Sequence, residues 1–212
     1  MTDEIIKFDV PTVVLASNSP RRSRMLDDAG IKHVKIVGPI DDTKVNMQYA
    51  HENVSKKQQR DYVKEMALLK IKPFIGKVEN GAVIAADTTV FCKGRILEKP
   101  LTKERCKEQH EFFSGKTTIN YTGYAVYYNG KTLCRVMATK VRVARLPKAV
   151  IQEICNEPEI LDCAGYRNQG NIGPYLRLKE SQRGNLTGLH IPFVLKMLKS
   201  VGWQGTGHLT AD

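Results

Sequence analysis

The stretch Val13–Arg22, which reads VVLASNSPRR, decides the fold of this chain. Its first four residues form a short apolar run that is typical of a buried strand. Ser19 is a favourable N-cap, and Pro20 suits the first helical position because the amide proton that proline lacks would have no partner there. We therefore predict a strand, a polar loop and a helix that ends at Gly30.

The segments that follow continue this alternation. A second strand is predicted at Val34–Val37, and a buried strand at Gly81–Ala86 ends before Asp87. Turn sequences predict hairpins around Lys93-Gly94 and Asn129-Gly130. Helices are predicted over Ser55–Ile71, from the cap Thr102 to Phe113, over Lys148–Cys155 and over Pro192–Ser200, with an extended segment at Tyr175–Leu178. Strands and helices that alternate before a long hairpin predict an α/β protein with a mixed sheet.

Length and composition predict one globular domain. The chain has 212 residues, of which 42% are hydrophobic and 26% charged, as in ordinary soluble proteins. A chain of this length buries a sufficient core without disulfide or metal cross-links. We find no internal repeat and no low-complexity linker. The prediction is a single domain over residues 1–212, with a core at about 12–200 and a loose tail at 203–212.

The net charge of +11, from 33 basic and 22 acidic side chains, favours anionic partners. A solvated basic surface without a specific partner is the alternative. A nucleic-acid-binding module would need aromatic side chains on a basic face. Tyr124, Tyr127 and Tyr128 lie in a β-rich stretch and are more simply explained as sheet residues, so nucleic acid is the less favoured partner.

The five cysteines are odd in number and form no C-x-x-C pair. This pattern argues against a disulfide framework or a structural zinc site and favours a reducing compartment. The first ten residues contain no apolar run suited to a signal peptide, and no segment approaches the ~20 apolar residues of a membrane span. We predict a cytoplasmic protein without a membrane partner.

The first candidate site is the turn Ser17–Arg22. The first turn of a helix offers free amide groups and the positive end of the dipole, which together bind phosphate. Ser17 and Ser19 add hydroxyl groups, and Arg21 and Arg22 add planar cations suited to phosphate oxygens. Simple helix capping by Ser-Pro-Arg is the alternative interpretation.

The second candidate site is Asp87, at the carboxyl end of the predicted strand, where ligands bind in open α/β sheets. Its carboxylate is suited to holding a hard divalent ion or to orienting and deprotonating a water. A capping aspartate in a turn is the alternative. Asp41-Asp42 offers further oxygen ligands, and Lys70 and Lys99 are suited to neutralising a triphosphate.

The segment Cys163–Gly170 is typical of a loop that approaches a ligand closely, and Gln169 offers both a donor and an acceptor to a base edge. The chain contains neither G-x-x-x-x-G-K-[ST] nor G-x-G-x-x-G, so the usual nucleotide-binding folds are not indicated. It also contains neither G-x-S-x-G nor H-E-x-x-H.

Taken in order, these segments resemble the Maf family of nucleotide pyrophosphatases over about Val13–Leu198. The opening signature is Leu15–Arg22, and the central one is Ala86–Val90 followed by Ile96–Pro100. The remaining matches, in order, are Ser114–Thr117, Glu157-Pro158, Asp162–Gly165, Gln169-Gly170 and Gly188-Leu189.

The resemblance implies a mixed, twisted sheet in two lobes with a central cleft, similar to the inosine triphosphatase fold. It implies cleavage of a nucleoside triphosphate between the α and β phosphates with Mg²⁺ or Mn²⁺, and a homodimer. The residues it implies are Asp87 as the catalytic carboxylate and metal ligand, Asp41 as the second metal ligand, Lys70 and Lys99 as phosphate-binding lysines, and Ser17, Arg21 and Arg22 as the phosphate loop.

The resemblance also bears on the substrate. Thr88 and Gln169 match members that act on dTTP and UTP, whereas Gln and Glu at those positions are similar to the 7-methyl-GTP type. Cys163 stands where the dTTP type has lysine, and Thr118 replaces a histidine. Pyrimidine triphosphates are therefore the predicted substrates, and 7-methyl-GTP or another modified nucleotide is the alternative. A non-catalytic regulator of cell division is a further alternative.

Overall fold

The computed structural model describes residues 4–43, 45 and 53–205. A seven-stranded mixed sheet forms its centre, in the order β2-β1-β3-β5-β6-β7, with β4 paired to the end of β3. β1 runs parallel to β2 and β3, and the other pairs are antiparallel. The strands are β1 (Ile6–Leu15), β2 (His33–Lys35), β3 (Val78–Cys92), β4 (Arg95–Leu97), β5 (Thr117–Tyr128), β6 (Lys131–Val143) and β7 (Leu176–Arg177).

Six α-helices of the described residues cover this sheet. They are α1 (Pro20–Asp28), α2 (Lys56–Ile71), α3 (Lys103–Phe113), α4 (Lys148–Ile154), α5 (Arg183–Thr187) and α6 (Ile191–Ser200). Ser19 caps α1 through its hydroxyl, and Ser55 begins α2 with a reciprocal capping box to Gln58. The predicted starts of α1 and α2 are thereby confirmed.

The alternating faces of β3 divide the first lobe into two layers. Ile84 and Ala86 point to the core that α1 and α6 cover, which also contains Leu26. Val83 and Ala85 point to the opposite core, beneath α2. Because successive side chains of a strand lie on opposite sides, β3 is buried on both faces here and appears in the sequence as a continuous apolar run.

A separate hydrophobic cluster forms the second lobe. It joins α3 and α4 to the far ends of β3 and β6, with Phe113, Ile154 and Tyr166 among its buried members. The long strands thus run from one core into another. The predicted α/β class, with a mixed sheet in two lobes, is confirmed.

Both predicted hairpin turns are present. Lys93 and Gly94 have φ of 52° and 78°, and Asn129 and Gly130 have φ of 43° and 77°. Two successive residues with positive φ give the two-residue turn whose twist matches that of the flanking strands.

The structure corrects the predicted end of a strand at Ala86. β3 continues to Cys92 because β5 pairs with it from Val83 through Cys92, so Asp87 lies within the strand. The polar residues Asp87, Thr88 and Thr89 resemble a turn in the sequence, but the neighbouring strand satisfies their backbone. Other differences are a longer β1, a shorter β2 and the short helix α5, which was not predicted.

The predicted loose tail at 203–212 lies partly within the described residues, which end at 205. Trp203 is 2% exposed, and its ring packs edge-on against that of Tyr128, so the core of the first lobe extends to this residue. Residues 206–212 lie outside the described residues. Within the described part of the chain, no helix is long and apolar enough to cross a membrane.

The cysteine pattern argued against a disulfide framework, but the structure contains a disulfide that was not predicted. Cys106 of α3 and Cys155, which follows α4, form a disulfide across 49 residues of sequence, with their Cα atoms 5.8 Å apart. The spacing alone gave no sign of this pair because the fold of the second lobe brings the two helices together. Cys92, Cys134 and Cys163 are free.

Candidate active site

The loop after β1 is organised by its two serine hydroxyls. Ser17 Oγ accepts a hydrogen bond from the backbone amide of Ser19 at 3.2 Å, and Ser19 Oγ accepts one from the amide of Arg22 at 3.4 Å. These bonds turn the chain from the strand into α1 and leave the first turn of the helix facing a cavity.

The Arg22 side chain connects this loop to two other parts of the fold. Its guanidinium donates to Ser17 Oγ at 3.1 Å, to the carbonyl oxygen of Gly188 at 3.0 Å and to Thr88 Oγ1 at 3.5 Å. Burial lowers the pKa of Arg22, and the nearby Asp87 carboxylate acts in the opposite direction. Since three partners hold its planar fork, Arg22 presents a fixed positive charge at the site.

Asp87 is paired with Lys70 at the end of α2. Lys70 Nζ lies 2.6 Å from Asp87 Oδ1 and 3.3 Å from the carbonyl oxygen of Ala86. The two side chains are 20% and 16% exposed. The ammonium therefore neutralises the carboxylate in this state, and both groups remain within reach of solvent.

Asp87 and Thr88 are adjacent in β3 and serve opposite faces of the sheet. Asp87 meets α2 through Lys70, whereas Thr88 meets α1 through Arg22. Thr88 Oγ1 is also 3.0 Å from Thr122 Oγ1 on β5, and the Thr122 side chain is fully buried. β3 thus carries the Asp87–Lys70 ion pair on one face and contacts the Arg22 cation on the other.

Gly123 allows α2 to lie close to this strand. It is the β5 residue directly opposite Asp87, and a Cβ atom at this position would overlap the backbone carbonyl of Val63 in α2. The missing side chain lets the helix backbone contact the sheet, which brings Lys70 within reach of Asp87.

A cavity of about 690 Å³ opens beyond the last residue of β1, where β3 pairs with neither β1 nor β4 over residues 85–89. Its basic side chains are Arg21, Arg22, Arg24, Lys70, Lys99 and Arg167, and its acidic ones are Glu159 and Asp162. Six cations against two anions give the cavity a positive field that suits a polyanionic ligand.

Most of the predicted site residues share this cavity. Six of them line it: Ser17, Arg21, Arg22, Lys70, Lys99 and Gln169. Asp87 and Thr88 join it through their bonds to Lys70 and Arg22. Asp41 is exposed, accepts a hydrogen bond from the amide of Thr43 at 3.0 Å and is not among the lining residues. Its assignment as a metal ligand stays a prediction.

Some lining residues were not among the predicted site residues. Glu159 follows α4 and Arg24 belongs to α1, and isolated charged residues of this kind give no signal in the sequence. Asp162 and Arg167 lie in the segments Asp162–Gly165 and Cys163–Gly170, which the sequence singled out, but no role was predicted for their side chains. The role of Thr122 was also missed, since cross-strand register is needed to place it against Thr88.

Contacts at both ends hold the predicted Cys163–Gly170 loop in place. The Cys163 sulfur lies 3.9 Å from both terminal nitrogens of Arg21, so it contacts the Ser17–Arg22 loop directly. The Glu157 carboxylate accepts a hydrogen bond from the amide of Asn171 at 2.5 Å and covers Gly170, where any Cβ would overlap it. This contact closes the loop that presents the exposed Gln169.

The donor set suits a divalent metal in one respect. Asp87 offers a partly exposed carboxylate beside an anion-binding cavity, and carboxylate oxygens are the ligands preferred by Mg²⁺ and Mn²⁺. Its partner Lys70 sits at the end of a long flexible side chain, so the ammonium is able to move to an incoming phosphate and leave the carboxylate free.

Fold and site together define an α/β protein with a cationic cleft for a polyanionic ligand. Comparison with known proteins gives the family: residues 12–201 match the family described as Maf-like protein. The chain belongs to the Maf family.

Curated relatives span nearly the whole chain. It is 29% identical over 188 residues to a dTTP/UTP pyrophosphatase of Pyrococcus abyssi, which covers 88% of this chain and 95% of the relative. It is 32% identical over 188 residues to a dTTP/UTP pyrophosphatase of Bacillus anthracis, with 88% and 94% covered. A nucleoside triphosphate pyrophosphatase of Microcystis aeruginosa is 28% identical over 197 residues, with 92% and 96% covered.

Among solved structures, the Ham1 protein of Staphylococcus aureus aligns with a TM-score of 0.46 at 12% identity, covering 89% of this chain and 96% of that one. A HAM1 protein from Coxiella burnetii aligns with a TM-score of 0.48 at 15% identity, covering 90% and 97%.

Proposed function

We propose that this protein hydrolyses the nucleoside triphosphates dTTP and UTP to the monophosphate and pyrophosphate. The coarser assignment, a nucleoside triphosphate pyrophosphatase, follows from its membership in the Maf family and the names of its relatives. The observation that carries the proposal is the arrangement around β3, where the Asp87–Lys70 pair and Arg22 adjoin one cationic cavity.

The triphosphate binds along the basic side chains of the cavity. The hydroxyl and backbone groups of the Ser17–Arg22 loop receive phosphate oxygens at the N-terminus of α1. Lys70, Lys99 and Arg21 balance the remaining charge, which must be offset before a nucleophile attacks phosphorus. Arg22 and the serine hydroxyls of the loop are fixed before the ligand arrives, whereas Lys70 moves from Asp87 to the bound phosphate.

Asp87 is the proposed base. Its carboxylate, released from Lys70 by the incoming phosphate, orients a water in line with the α-phosphorus and accepts its proton. Asp87 and Asp41 are the residues that would hold Mg²⁺ or Mn²⁺, which supplies charge neutralisation at the phosphates and lowers the pKa of a bound water. Lys70 and Arg22 hold the charge that develops on the pyrophosphate as it leaves.

The nucleobase of the substrate is proposed to be a pyrimidine. Gln169, exposed on the second-lobe side of the cavity, offers a donor and an acceptor to the matching edge of uracil or thymine. A glutamate at this position would suit the donor-rich edge of 7-methylguanine. We propose Thr88 as the second determinant of this choice because it fixes Arg22.

Two properties of the protein as a whole complete the proposal. We propose that it works as a homodimer and in the cytoplasm. Sedimentation of the purified protein at several concentrations measures the first, and fractionation of the source cells measures the second.

The test of the proposed function is pyrophosphate release from dTTP, UTP, CTP and 7-methyl-GTP with Mg²⁺ or Mn²⁺, and without metal. Turnover of dTTP and UTP above the others, and only with metal, is the expected result. A preference for 7-methyl-GTP would retain the reaction and refute the roles of Thr88 and Gln169. No release from any of the four would refute the enzyme assignment and direct attention to nucleic acid as the ligand of the basic surface.

A further inference from the structure

The disulfide Cys106–Cys155 lies at the point where the second lobe meets the cavity. Cys106 lies in the first turn of α3, seven residues after Lys99, and Cys155 precedes the segment that carries Gln169. Both sulfur-bearing residues are essentially unexposed, at 0% and 1%. The bond therefore joins the origins of the two chain segments that form the second-lobe wall of the cavity.

Two polar contacts among the described residues also join these two segments. The amide of Leu101 donates to the carbonyl oxygen of Leu161 at 3.1 Å, and Lys103 Nζ donates to Asn156 Oδ1 at 2.7 Å on the exposed surface. Both segments also pack into the hydrophobic cluster of the second lobe, through Leu97 on one side and Ile160 on the other. The disulfide is the covalent link that adds to this packing.

The backbone beside this constraint is strained on both sides. Leu101 and Glu159 have φ of 63° and 61°, a left-handed conformation that is unfavourable for side chains of their kind. Such conformations persist where the surrounding structure enforces them. Leu101 lies two residues after Lys99, and Glu159 lines the cavity, so relaxation at either position alters the cavity wall.

We propose that the Cys106–Cys155 pair is a redox switch. As a disulfide it holds the second-lobe wall of the cavity in its binding conformation, and as a dithiol it allows that wall to relax. The effect on catalysis rests on the proposed function; the chemistry of the pair does not.

The redox step consumes two equivalents of a thiol. A thiolate RS⁻ attacks one sulfur, the Cys106–Cys155 bond breaks, and a mixed disulfide forms. A second RSH displaces the protein sulfur, which leaves two protein thiols and RSSR, and an excess of RSSR reverses the reaction. Access requires local opening, and α4 is suited to it because it has only seven residues and its N-cap, Pro147, makes no side-chain capping bond.

A metal ion is the competing occupant of this cluster. Cys106, Cys155 and His110 offer ligand atoms within 4.8 Å of one another, and all three residues are buried. Nδ1 of His110 bonds the carbonyl oxygen of Cys106 at 2.8 Å, and its buried Nε2 has no hydrogen-bond partner. However, the described residues bring only three ligands together, where structural zinc takes four. The structure therefore favours the disulfide.

Thiol counting on the denatured protein tests the pair without reference to catalysis. Protein incubated with oxidised glutathione is expected to show three reactive thiols, those of Cys92, Cys134 and Cys163, and five after dithiothreitol. The oxidised form should melt higher than the reduced form by roughly 5–15 °C, because the bond closes a long loop in the unfolded chain. Five thiols under both conditions, or zinc released on denaturation, would overturn the proposal.

Kinetics then test the effect on the cavity. Reduction should raise KM for the preferred triphosphate by at least about threefold while kcat changes less than about twofold, because Asp87 and Lys70 lie in the first lobe. The double variant Cys106→Ser/Cys155→Ser should show the raised KM in both redox states, and the control Cys134→Ser should respond to reductant as the wild type does. An unchanged KM together with the expected thiol counts would refute the control of the cavity. Absence of all turnover would instead refute the proposed function and leave the thiol result standing.

Discussion

The two walls of the cavity are built differently. On the first-lobe wall, Ser17, Arg22, Lys70 and Thr88 are each held by hydrogen bonds to neighbouring elements. On the second-lobe wall, Glu159, Asp162 and Gln169 are exposed and belong to a loop between short elements. The first wall holds its polar side chains in place, and the second leaves its side chains exposed.

This difference suggests a division of labour. Groups that stabilise a transition state act best when they are fixed in advance, because they then need no reorganisation. Groups that select a ligand only have to differ in affinity for the competing molecules. Substitutions on the first wall should therefore affect the rate, and substitutions on the second should affect the choice of nucleotide.

Asp87→Asn should give the largest effect. The amide keeps the shape of the side chain but neither accepts a proton nor attracts Lys70 and a metal as a carboxylate does. We expect kcat to fall by at least about 10³-fold. Pyrophosphate release measures this, and a melting temperature within about 3 °C of wild type would show that the fold is intact.

Asp162→Asn is the matched control on the second wall and should lose less than about tenfold in kcat. Near-normal turnover by the Asp87 variant would remove the chemical role from the first wall. An equal loss in both variants would erase the distinction between the walls.

Arg22→Lys should give the next largest effect. Lysine keeps the charge but cannot bond Ser17, Thr88 and Gly188 at once, so the loop loses these connections. We expect kcat/KM to fall by about 10²-fold. Steady-state kinetics measure this, with Arg24→Lys as the control. Equal effects of the two substitutions would mean that charge alone matters on this wall.

Gly123→Ala tests whether the close approach of α2 is needed. The added methyl group would overlap the Val63 carbonyl, push the helix outward and draw Lys70 away from Asp87. We expect about 1–3 kcal/mol of lost stability and about tenfold lower kcat. Denaturant unfolding and kinetics measure the two. Gly184→Ala, where the new Cβ meets ordinary contacts, should change neither.

Gln169→Glu should give the smallest effect on rate and the clearest effect on selectivity. The carboxylate removes the donor that a pyrimidine edge needs and adds an acceptor for a donor-rich purine edge. We expect the ratio of kcat/KM for dTTP to that for 7-methyl-GTP to fall by roughly 3–10-fold. A fall in kcat for both nucleotides alike would place Gln169 in the chemistry instead.

The sequence predicted the elements better than the connections between them. Caps at Ser19 and Ser55 and the turn at Asn129-Gly130 are local signals, and the structure confirms each of them. The continuation of β3 through Asp87 was missed because its cause is pairing with β5, which is distant in sequence. The disulfide was missed for the same reason.

The site shows the same limit. Ser17, Arg22, Lys70 and Lys99 were singled out by residue type and motif, and the fold brings them to one cavity. The pairing of Lys70 with Asp87 depends on the packing of a helix onto a glycine across the sheet, which no spacing rule in the chain expresses. Arg167 and Glu159 line the cavity only because the second lobe folds back over it.

The back-to-back placement of Asp87 and Thr88 has a consequence for how this protein is able to evolve. Inserting or deleting one residue in β3 ahead of them would exchange their faces, so Asp87 would turn toward α1 and Thr88 toward α2. The Asp87–Lys70 contact and the Thr88–Arg22 contact would both be lost in one event. Length changes in this strand are therefore barred even where substitutions are tolerated.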